Sequence, residues 1–307
     1  MTTWVTGAGG QVGRHIARLV SDRGKGSYLF LSRRQLDITC LSSIEELALR
    51  FRPRCILNLA AYTDVNGAED SPDLAYRVNS SGVANLAHVA AANRARLIHV
   101  STDYVFDGAK RSPYTEGDPV NPLNTYGATK LSGEMEATSA PEHYIVRTSW
   151  VFSSDANSFV SKILDKARHA DALDVVTDQY GGPTYARHLG SALLDLLGLI
   201  NEEETLIDPG LLHFCGEPFV SRAEFAEAIL NVAFKTGKLS RLPVVNHVRS
   251  ASSQSLPIRP ENSRLLTSQV FRNLGVERDW RTALADCVGS HRFEAQELVA
   301  PGDDVAT

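Results

Sequence analysis

Cysteine is scarce in this 307-residue chain: Cys40, Cys55, Cys215 and Cys287 stand far apart, and no two form a CxxC pair. Such spacing argues against a disulfide framework or a zinc site and suits buried small hydrophobes in a reducing cytoplasm. The sequence has no H-x-x-x-H and no His/Asp/Glu trio at ligand spacing, so no metal site is expected. His88, His99 and His188 read as surface or satisfied histidines. A broad positive field is missing too. Lys plus Arg number 31 against 36 Asp plus Glu, a formal net charge of −5, which excludes general electrostatic capture of nucleic acid or an anionic membrane. Apolar runs stay below the roughly 18 residues of a membrane span. The chain opens on a strand pattern, Trp4-Val5-Thr6, rather than a basic segment followed by an apolar one, so no secretory leader is expected and a cytoplasmic location is. Internal repeats and low-complexity tracts are absent.

What remains is ordinary globular composition, 43% hydrophobic and 22% charged, long enough for about two domains. Apolar periodicity predicts strands over 4–6, 28–31, 55–59, 97–100 and 144–146. Between them it predicts helices over 12–21, 44–50, 72–92 and 125–136, with Pro72 in the first turn of the third, where its missing N–H costs nothing. This βαβ rhythm implies an α/β fold, a doubly wound parallel sheet of Rossmann type. Beyond residue 150 the rhythm loosens. Helices are expected over 159–167, 185–197, 221–234 and 279–288, and strands over 173–176 and 211–215. Ser221 and Glu224 form a capping-box pattern, and Asp155 or Asn157 is expected to cap the helix at 159. The tract from Leu189 to Ile200 reads as a buried helix. The Ser/Pro-rich stretch over 250–260 reads as a linker or substrate loop, Glu202-Glu203-Glu204 as a solvated loop, and 291–307 as a frayed tail. The expected division is a dinucleotide-binding domain over 1–152, rejoined by segments within 170–205, and a second lobe over 153–290.

Chemistry concentrates in two places. Gly7, Gly10 and Gly13 follow the first strand and open a helix. Glycines there let the backbone turn tightly against a pyrophosphate, while the helix offers it unpaired N–H groups and a positive dipole end. The second strand ends in Ser32-Arg33-Arg34 rather than in a carboxylate. Two guanidinium groups suit a 2′-phosphate, so NADPH is favoured, with NADH the alternative. Asp37 sits where it would meet the adenine or cap the next helix. Further along, Tyr126 and Lys130 are four residues apart, on one helix face, and Thr102-Asp103 closes the fourth strand on the ligand side of the sheet. A ketone reduction needs hydride at carbon, a proton at oxygen, and support for the charge growing there. A tyrosine phenol with its pKa lowered by an ammonium, helped by a hydroxyl, meets the last two needs.

These stretches resemble the extended branch of the short-chain dehydrogenase/reductase superfamily, and within it the dTDP-4-dehydrorhamnose reductase family, from residue 2 to about 288. The widely shared part is the glycine loop with Tyr126-Gly127-Ala128-Thr129-Lys130. More specific are Ser101-Thr102-Asp103-Tyr104-Val105-Phe106-Asp107-Gly108 and Asp178-Gln179-Tyr180-Gly181-Gly182-Pro183-Thr184. The resemblance implies reduction of the C4 ketone of a dTDP-linked 4-keto-6-deoxy sugar, with a smaller C-terminal lobe closing over the nucleotide half of the substrate. Tyr126 would be proton donor, Lys130 its partner and ribose anchor, and Thr102 the helper. Gly7, Gly10, Gln11, Val12 and Gly13 would face the pyrophosphate, with Arg33, Asp37 and Ile38 nearer the adenosine and Ala60, Ala61 and Tyr62 lining the third strand. Val65, Asp103, Tyr104 and Trp150 would lie toward the sugar, and Arg259 and Asn262 toward the diphosphate. The assembly would be a monomer or a homodimer.

Two departures stand out. Some relatives carry acidic residues in the helix after the glycine loop, linked with magnesium at a dimer contact, where this chain has Arg14-His15-Ile16. Asn66-Gly67 replaces a common acidic–basic pair, pointing to a changed substrate pocket. Two alternatives stay open. One is an epimerase or dehydratase of the same branch, although a dehydratase expects an acidic pair after the threonine and only Asp103 follows Thr102. The other is a non-catalytic subunit like the regulatory one of methionine adenosyltransferase, which the complete Thr/Tyr/Lys set opposes.

Overall fold

A computed structural model describes residues 2–24, 26–155, 158–201, 207–250 and 257–291. The first half runs β1 (Thr2–Thr6), α1 (Gln11–Arg23), β2 (Ser27–Leu31), α2 (Leu41–Arg50), β3 (Pro53–Asn58), α3 (Val65–Asp70), α4 (Pro72–Tyr76), α5 (Gly82–Asn93), β4 (Arg96–Thr102), α6 (Thr125–Ala137) and β5 (His143–Thr148). The second half continues β6 (Val151–Phe152), α7 (Phe159–Ala167), β7 (Ala172–Val176), β8 (Tyr180–Gly181), β9 (Thr184–Tyr185), α8 (Ala186–Asn201) and β10 (Gly210–His213). It closes with β11 (Val220–Ser221), α9 (Arg222–Lys235), β12 (Val244–Val248), β13 (Asn262–Ser263), α10 (Gln269–Asn273) and α11 (Trp280–Ser290).

Six strands form one parallel sheet in the order β10-β5-β4-β3-β1-β2. Its inner strands are buried on both faces, so they read as continuous apolar runs. One face packs Val5, Leu57 and Ile98 against Ile16 and Leu19 of α1 and Leu189, Leu193 and Leu197 of α8. The opposite face packs Trp4, Ile56 and Leu97 against Ile44 of α2 and Val83, Leu86 and Ala90 of α5. Connections leave β1 and β3 in opposite directions, which opens a crevice at the carboxyl ends of those strands.

The helix expected over 72–92 is not continuous. After α4 the chain widens into a π turn over Arg77–Ser81 before α5 begins. The turn aims the buried Asn79 amide at the loop after β3: it accepts from Tyr62 N–H, donates to the Tyr62 carbonyl, and donates to Thr129 Oγ1 of α6. A single side chain thus ties three segments together, and π bulges commonly mark functional sites. Helix α3, capped by Asp64, was not visible in the periodicity.

The second lobe has its own core, in which Phe225 of α9 meets Phe152, Phe159 and Trp280 edge-on or stacked. Ser221 and Glu224 make the expected capping box. Helix α7 is capped by Ser158 rather than Asp155; the Asp155 carboxylate is drawn away by Arg14, at 2.7 Å, and by Ser153 Oγ. Asn157, Glu202-Glu203-Glu204, 251–256 of the Ser/Pro-rich stretch and 292–307 of the tail lie outside the described residues. Strand β7 pairs with β12 in the second lobe, whereas α8 and β10 return to the first.

Helix α6 approaches its neighbours unusually closely. A β-carbon at Gly127 would overlap the Tyr104 carbonyl oxygen, and one at Gly133 the Asn79 carbonyl oxygen. Behind it, Glu134 takes two hydrogen bonds from Arg147 of β5 (2.8 and 2.6 Å) and one from Ser101 of β4 (2.5 Å), all buried. Gly133→Ala is therefore expected to push α6 outward and cost about 1–3 kcal/mol. Urea unfolding would register this as a lower midpoint at unchanged slope, and an unchanged midpoint would show that the helix has slack.

Candidate active site

The glycine loop is built as its spacing predicts. Gly7 has φ of 65°, and a β-carbon on it would fall 2.6 Å from Ala60 N. At Gly13 a β-carbon would fall 2.6 Å from Ala8 Cα. Helix α1 begins after Gly10 with no side chain capping it and no acid in its first turn. That close-packed glycine turn and uncapped N-terminus fit a dinucleotide pyrophosphate. Gln11 opens the helix, with its Oε1 accepting from Ser153 Oγ at 2.8 Å, and Val12 packs inward, leaving its backbone to the loop. Beyond β3, Leu59 and Ala60 lie directly against Gly7, and Ala61 and Tyr62 continue the same loop.

Around the turn after β2, Arg33 and Arg34 are exposed. Asp37 does not cap α2, whose N-cap is Cys40 without a side-chain bond. Its Oδ1 instead accepts from Thr39 N–H and Oγ1 (3.0 and 2.8 Å), and these bonds, helped by Arg33, hold its pKa below the ordinary value. The Ile38 side chain is buried in the core beneath Gly82 and its carbonyl accepts from Asn85, which leaves its backbone N–H as the group that could meet a cofactor.

The second cluster forms where β4 ends. Asn124 caps α6 by accepting from Gly127 N–H, while Glu69 of α3 accepts from Thr125 N–H and Oγ1. These two caps set Tyr126 on the first turn, edge-on to the Tyr104 ring at 5.4 Å. The Tyr126 hydroxyl is crowded. Burial pushes its pKa above 10, and the neighbouring Asp103 and Tyr104 push the same way, while a hydrogen bond with Thr102 pulls it down. Thr102 Oγ1 also donates to Asp103 Oδ1 (3.1 Å).

Lys130 is placed differently from the expectation that its ammonium lowers the phenol. The side chain is buried and turned onto β4, where Nζ donates to the Val100 carbonyl at 2.7 Å and lies 3.2 Å from His99 Nε2. Burial lowers its pKa to about 8.

Trp150 sits at the start of the second lobe with φ of 46° and 9% exposure, its ring against Gly181. The Arg222 guanidinium lies 3.5 Å from the centre of that ring and is within electrostatic reach of Asp103 and Tyr104. No motif marks Arg222; in the sequence it is only the residue after a helix cap. Arg259 reaches across to Asn66 Oδ1 (3.1 Å) and to the Tyr104 hydroxyl. Its partner is thus a neutral amide. Val65 is half-buried at the start of α3. Asn262, expected toward the diphosphate, is engaged within the protein. Its Nδ2 donates to the Lys110 and Ser112 carbonyls and its Oδ1 accepts twice from Arg264, so the amide is spent holding the loop over 110–112.

A magnesium site does not fit at α1. His15 has its pKa lowered to about 4 by burial and by Arg18, with Arg187 and Arg14 adding to the positive surround. Among the described residues no three His, Cys, Asp or Glu side chains cluster to hold a metal, and no helix is long and apolar enough to cross a membrane.

A strand, glycine turn and uncapped helix beside a Thr/Tyr/Lys cluster, all at the carboxyl edge of a parallel sheet, define an extended short-chain dehydrogenase/reductase. Comparison narrows the class. The family profile described as RmlD substrate binding domain matches residues 1–293. A dTDP-4-dehydrorhamnose reductase of Aggregatibacter actinomycetemcomitans is 42% identical over 282 residues, covering 91% of this chain and 96% of its own length. Solved structures agree. A dTDP-4-dehydrorhamnose reductase of Clostridium acetobutylicum superposes with a TM-score of 0.84 at 32% identity, covering 94% of this chain and 99% of the other. The Bacillus anthracis enzyme, solved in complex with NADP, gives 0.82 at 29% identity over 93% and 98%. The chain belongs to the dTDP-4-dehydrorhamnose reductase family and is an NAD(P)H-dependent oxidoreductase.

Asp103 generates a pH prediction. It is buried, its Oδ2 has no well-formed hydrogen bond, and burial raises its pKa from 3.8 to about 6 despite Ser263, Thr102 and the Arg222 charge. A carboxyl whose folded pKa is raised favours folding while protonated. That contribution is full below the unfolded value of 3.8 and lost as pH rises through about 6. Asp103→Asn is expected to match the parent in thermal stability at acid pH and to exceed it above neutrality by about 2 kcal/mol. A variant less stable at both pH values would show that the charge is compensated.

Proposed function

We propose that this protein reduces the C4 ketone of a dTDP-linked 4-keto-6-deoxy sugar with NADPH, the conversion of dTDP-4-dehydrorhamnose to dTDP-rhamnose being the type. The observation that carries this reading is the convergence of Thr102 and Tyr126 at the end of β4, two strands from the glycine turn. Gly7, Gly10, Gln11, Val12 and Gly13 hold the pyrophosphate by backbone, and Arg33 with Arg34 meets the 2′-phosphate. When bound, NADPH supplies the hydride.

The Tyr126 hydroxyl donates its proton to the ketone oxygen. With its pKa raised by burial, the phenol is fully protonated at neutral pH, the form a reduction requires. Thr102 Oγ1 orients the carbonyl and stabilises the oxygen as charge develops. Lys130, on the same helix face, anchors the ribose. Trp150 with Arg222, and Tyr104 with Arg259, wall the substrate side, where guanidinium groups suit a diphosphate.

Incubating the protein with NADPH and a panel of nucleotide 4-keto sugars, with product stereochemistry read by NMR, tests the substrate class. Tyr126→Phe is expected to lower kcat about 100- to 10,000-fold without changing the fold. Thr102→Val is expected to lower it about 100-fold. Near-full turnover by Tyr126→Phe would remove the tyrosine from its role.

A further inference from the structure

The segment that carries Arg259 is pinned along its backbone. The Ile258 carbonyl accepts from Asn124 Nδ2 at 2.8 Å, and the Oδ1 of the same Asn124 caps α6. The Glu261 carbonyl accepts from Tyr180 N–H at 2.7 Å. Between these bonds Pro260 lies so close to Gly108 that a β-carbon on the glycine would fall 2.7 Å from the proline Cβ. Residues 258–261 are thereby fixed against the helix that bears Tyr126, and Arg259 can move only by turning its side chain.

That side chain is held by neutral partners. Arg259 Nη2 donates to Asn66 Oδ1 at 3.1 Å, and a further hydrogen bond goes to the Tyr104 hydroxyl. A guanidinium only donates, so the amide oxygen of Asn66 rather than its NH2 faces it. The acids nearby are committed elsewhere: Asp64 accepts from the N–H groups of Asn66 and Gly67, and Glu69 accepts from Thr125. Among the described residues no carboxylate pairs with Arg259. Arg222 stands within electrostatic reach of it, and Asp103 is the single carboxylate acting on Arg222. Two guanidinium groups so placed leave positive charge in excess, which suits the charge-assisted bonds of a diphosphate.

Tyr104 links this charge to the chemistry. Its ring is edge-on to Tyr126 at 5.4 Å, while its hydroxyl meets Arg259. In a 4-keto sugar the ketone carbon and the phosphate-bearing carbon lie across the ring from each other. A phosphate-binding group is therefore wanted one aromatic side chain away from the proton donor, which is where Arg259 stands.

Resting on the reductase reading above, we propose that Asn66 is a positioning residue that parks Arg259 through a neutral hydrogen bond, so that the diphosphate of a nucleotide sugar can draw the guanidinium away by turning one side chain while its backbone stays in place. A carboxylate at position 66 would hold the guanidinium by charge, and the diphosphate would have to compete for it. The amide steadies Arg259 beside Arg222 in the free enzyme and still lets it go.

Calorimetric titration of the intact protein with dTDP, in the presence of NADPH, tests this. The proteins compared are the parent, Asn66→Asp, Asn66→Ala, Arg259→Gln and the double variant of Asn66→Asp with Arg259→Gln. Asn66→Asp is expected to weaken dTDP binding about tenfold, and Asn66→Ala to leave it unchanged or tighter. Once Arg259→Gln has weakened binding, adding Asn66→Asp is expected to cost less than about threefold more. A full tenfold loss in that background would mean that the acid merely repels the nucleotide, and it overturns the inference; so does an unchanged affinity in Asn66→Asp. A loss in Asn66→Ala as large as in Arg259→Gln overturns it as well, because Asn66 would then be needed in the bound state. In turnover, Asn66→Asp should raise KM for the keto sugar and leave kcat and NADPH affinity as they were, a split that a damaged α3 would not produce. If dTDP binds and responds to Asn66 as expected but no nucleotide keto sugar is reduced, the reductase reading falls and the role of Asn66 stands. A parent protein that binds no dTDP removes both.

Discussion

The molecule depends on how closely helix α6 lies against the edge of the sheet. Two positions on it, Gly127 and Gly133, have no room for a side chain, because backbone carbonyls of Tyr104 and Asn79 occupy the space. Tyr126 and Lys130 are carried on this helix, so their distance from Thr102 and His99 on β4 is fixed by those contacts. The buried Glu134–Arg147 pair adds direction rather than much net stability, since desolvating both charges offsets most of their attraction. What it supplies is register: Arg147 belongs to β5 and Ser101 to β4, so Glu134 can satisfy both only with the helix at one height along the sheet.

The same closeness explains the π turn before α5. Asn79 has to reach the Tyr62 backbone and Thr129 at once, and a regular helix through 72–92 would not aim one side chain at both. The extra residue in that turn links the loop after β3, which borders the glycine cradle, to the helix carrying Tyr126. Cofactor side and proton side are joined by a single buried amide.

Much of this could be read along the sequence, because the signals are local. Buried parallel strands are short apolar runs, a glycine triplet after a strand has few other uses, and residues four apart share a helix face. Ser221 with Glu224 announced its helix start for the same reason. What stayed hidden is set by partners distant in the chain. Asn262 looks like a free amide until Lys110, Ser112 and Arg264 fold onto it. Asp155 looks like a cap until Arg14, far upstream, claims its carboxylate. Arg222 gains meaning only when the Trp150 ring stacks on it. Lys130 was expected to serve the phenol by charge, and no spacing rule reveals that a histidine from another strand meets it first.

Burial acts on the chemical cluster with one sign throughout. It raises Tyr126 and Asp103, lowers Lys130 and His99, and so favours the uncharged form of each. A site built to hold a phenolate would need a fixed positive charge beside Tyr126. Here the guanidinium groups of Arg222 and Arg259 gather instead around Tyr104 and Trp150. Hydride arriving at a carbonyl leaves negative charge on oxygen, and in a poorly hydrated pocket that charge is costly until a proton meets it. The proton on Tyr126 is the nearest relief. Burial, which the close seat of α6 creates, therefore ties proton delivery to hydride arrival.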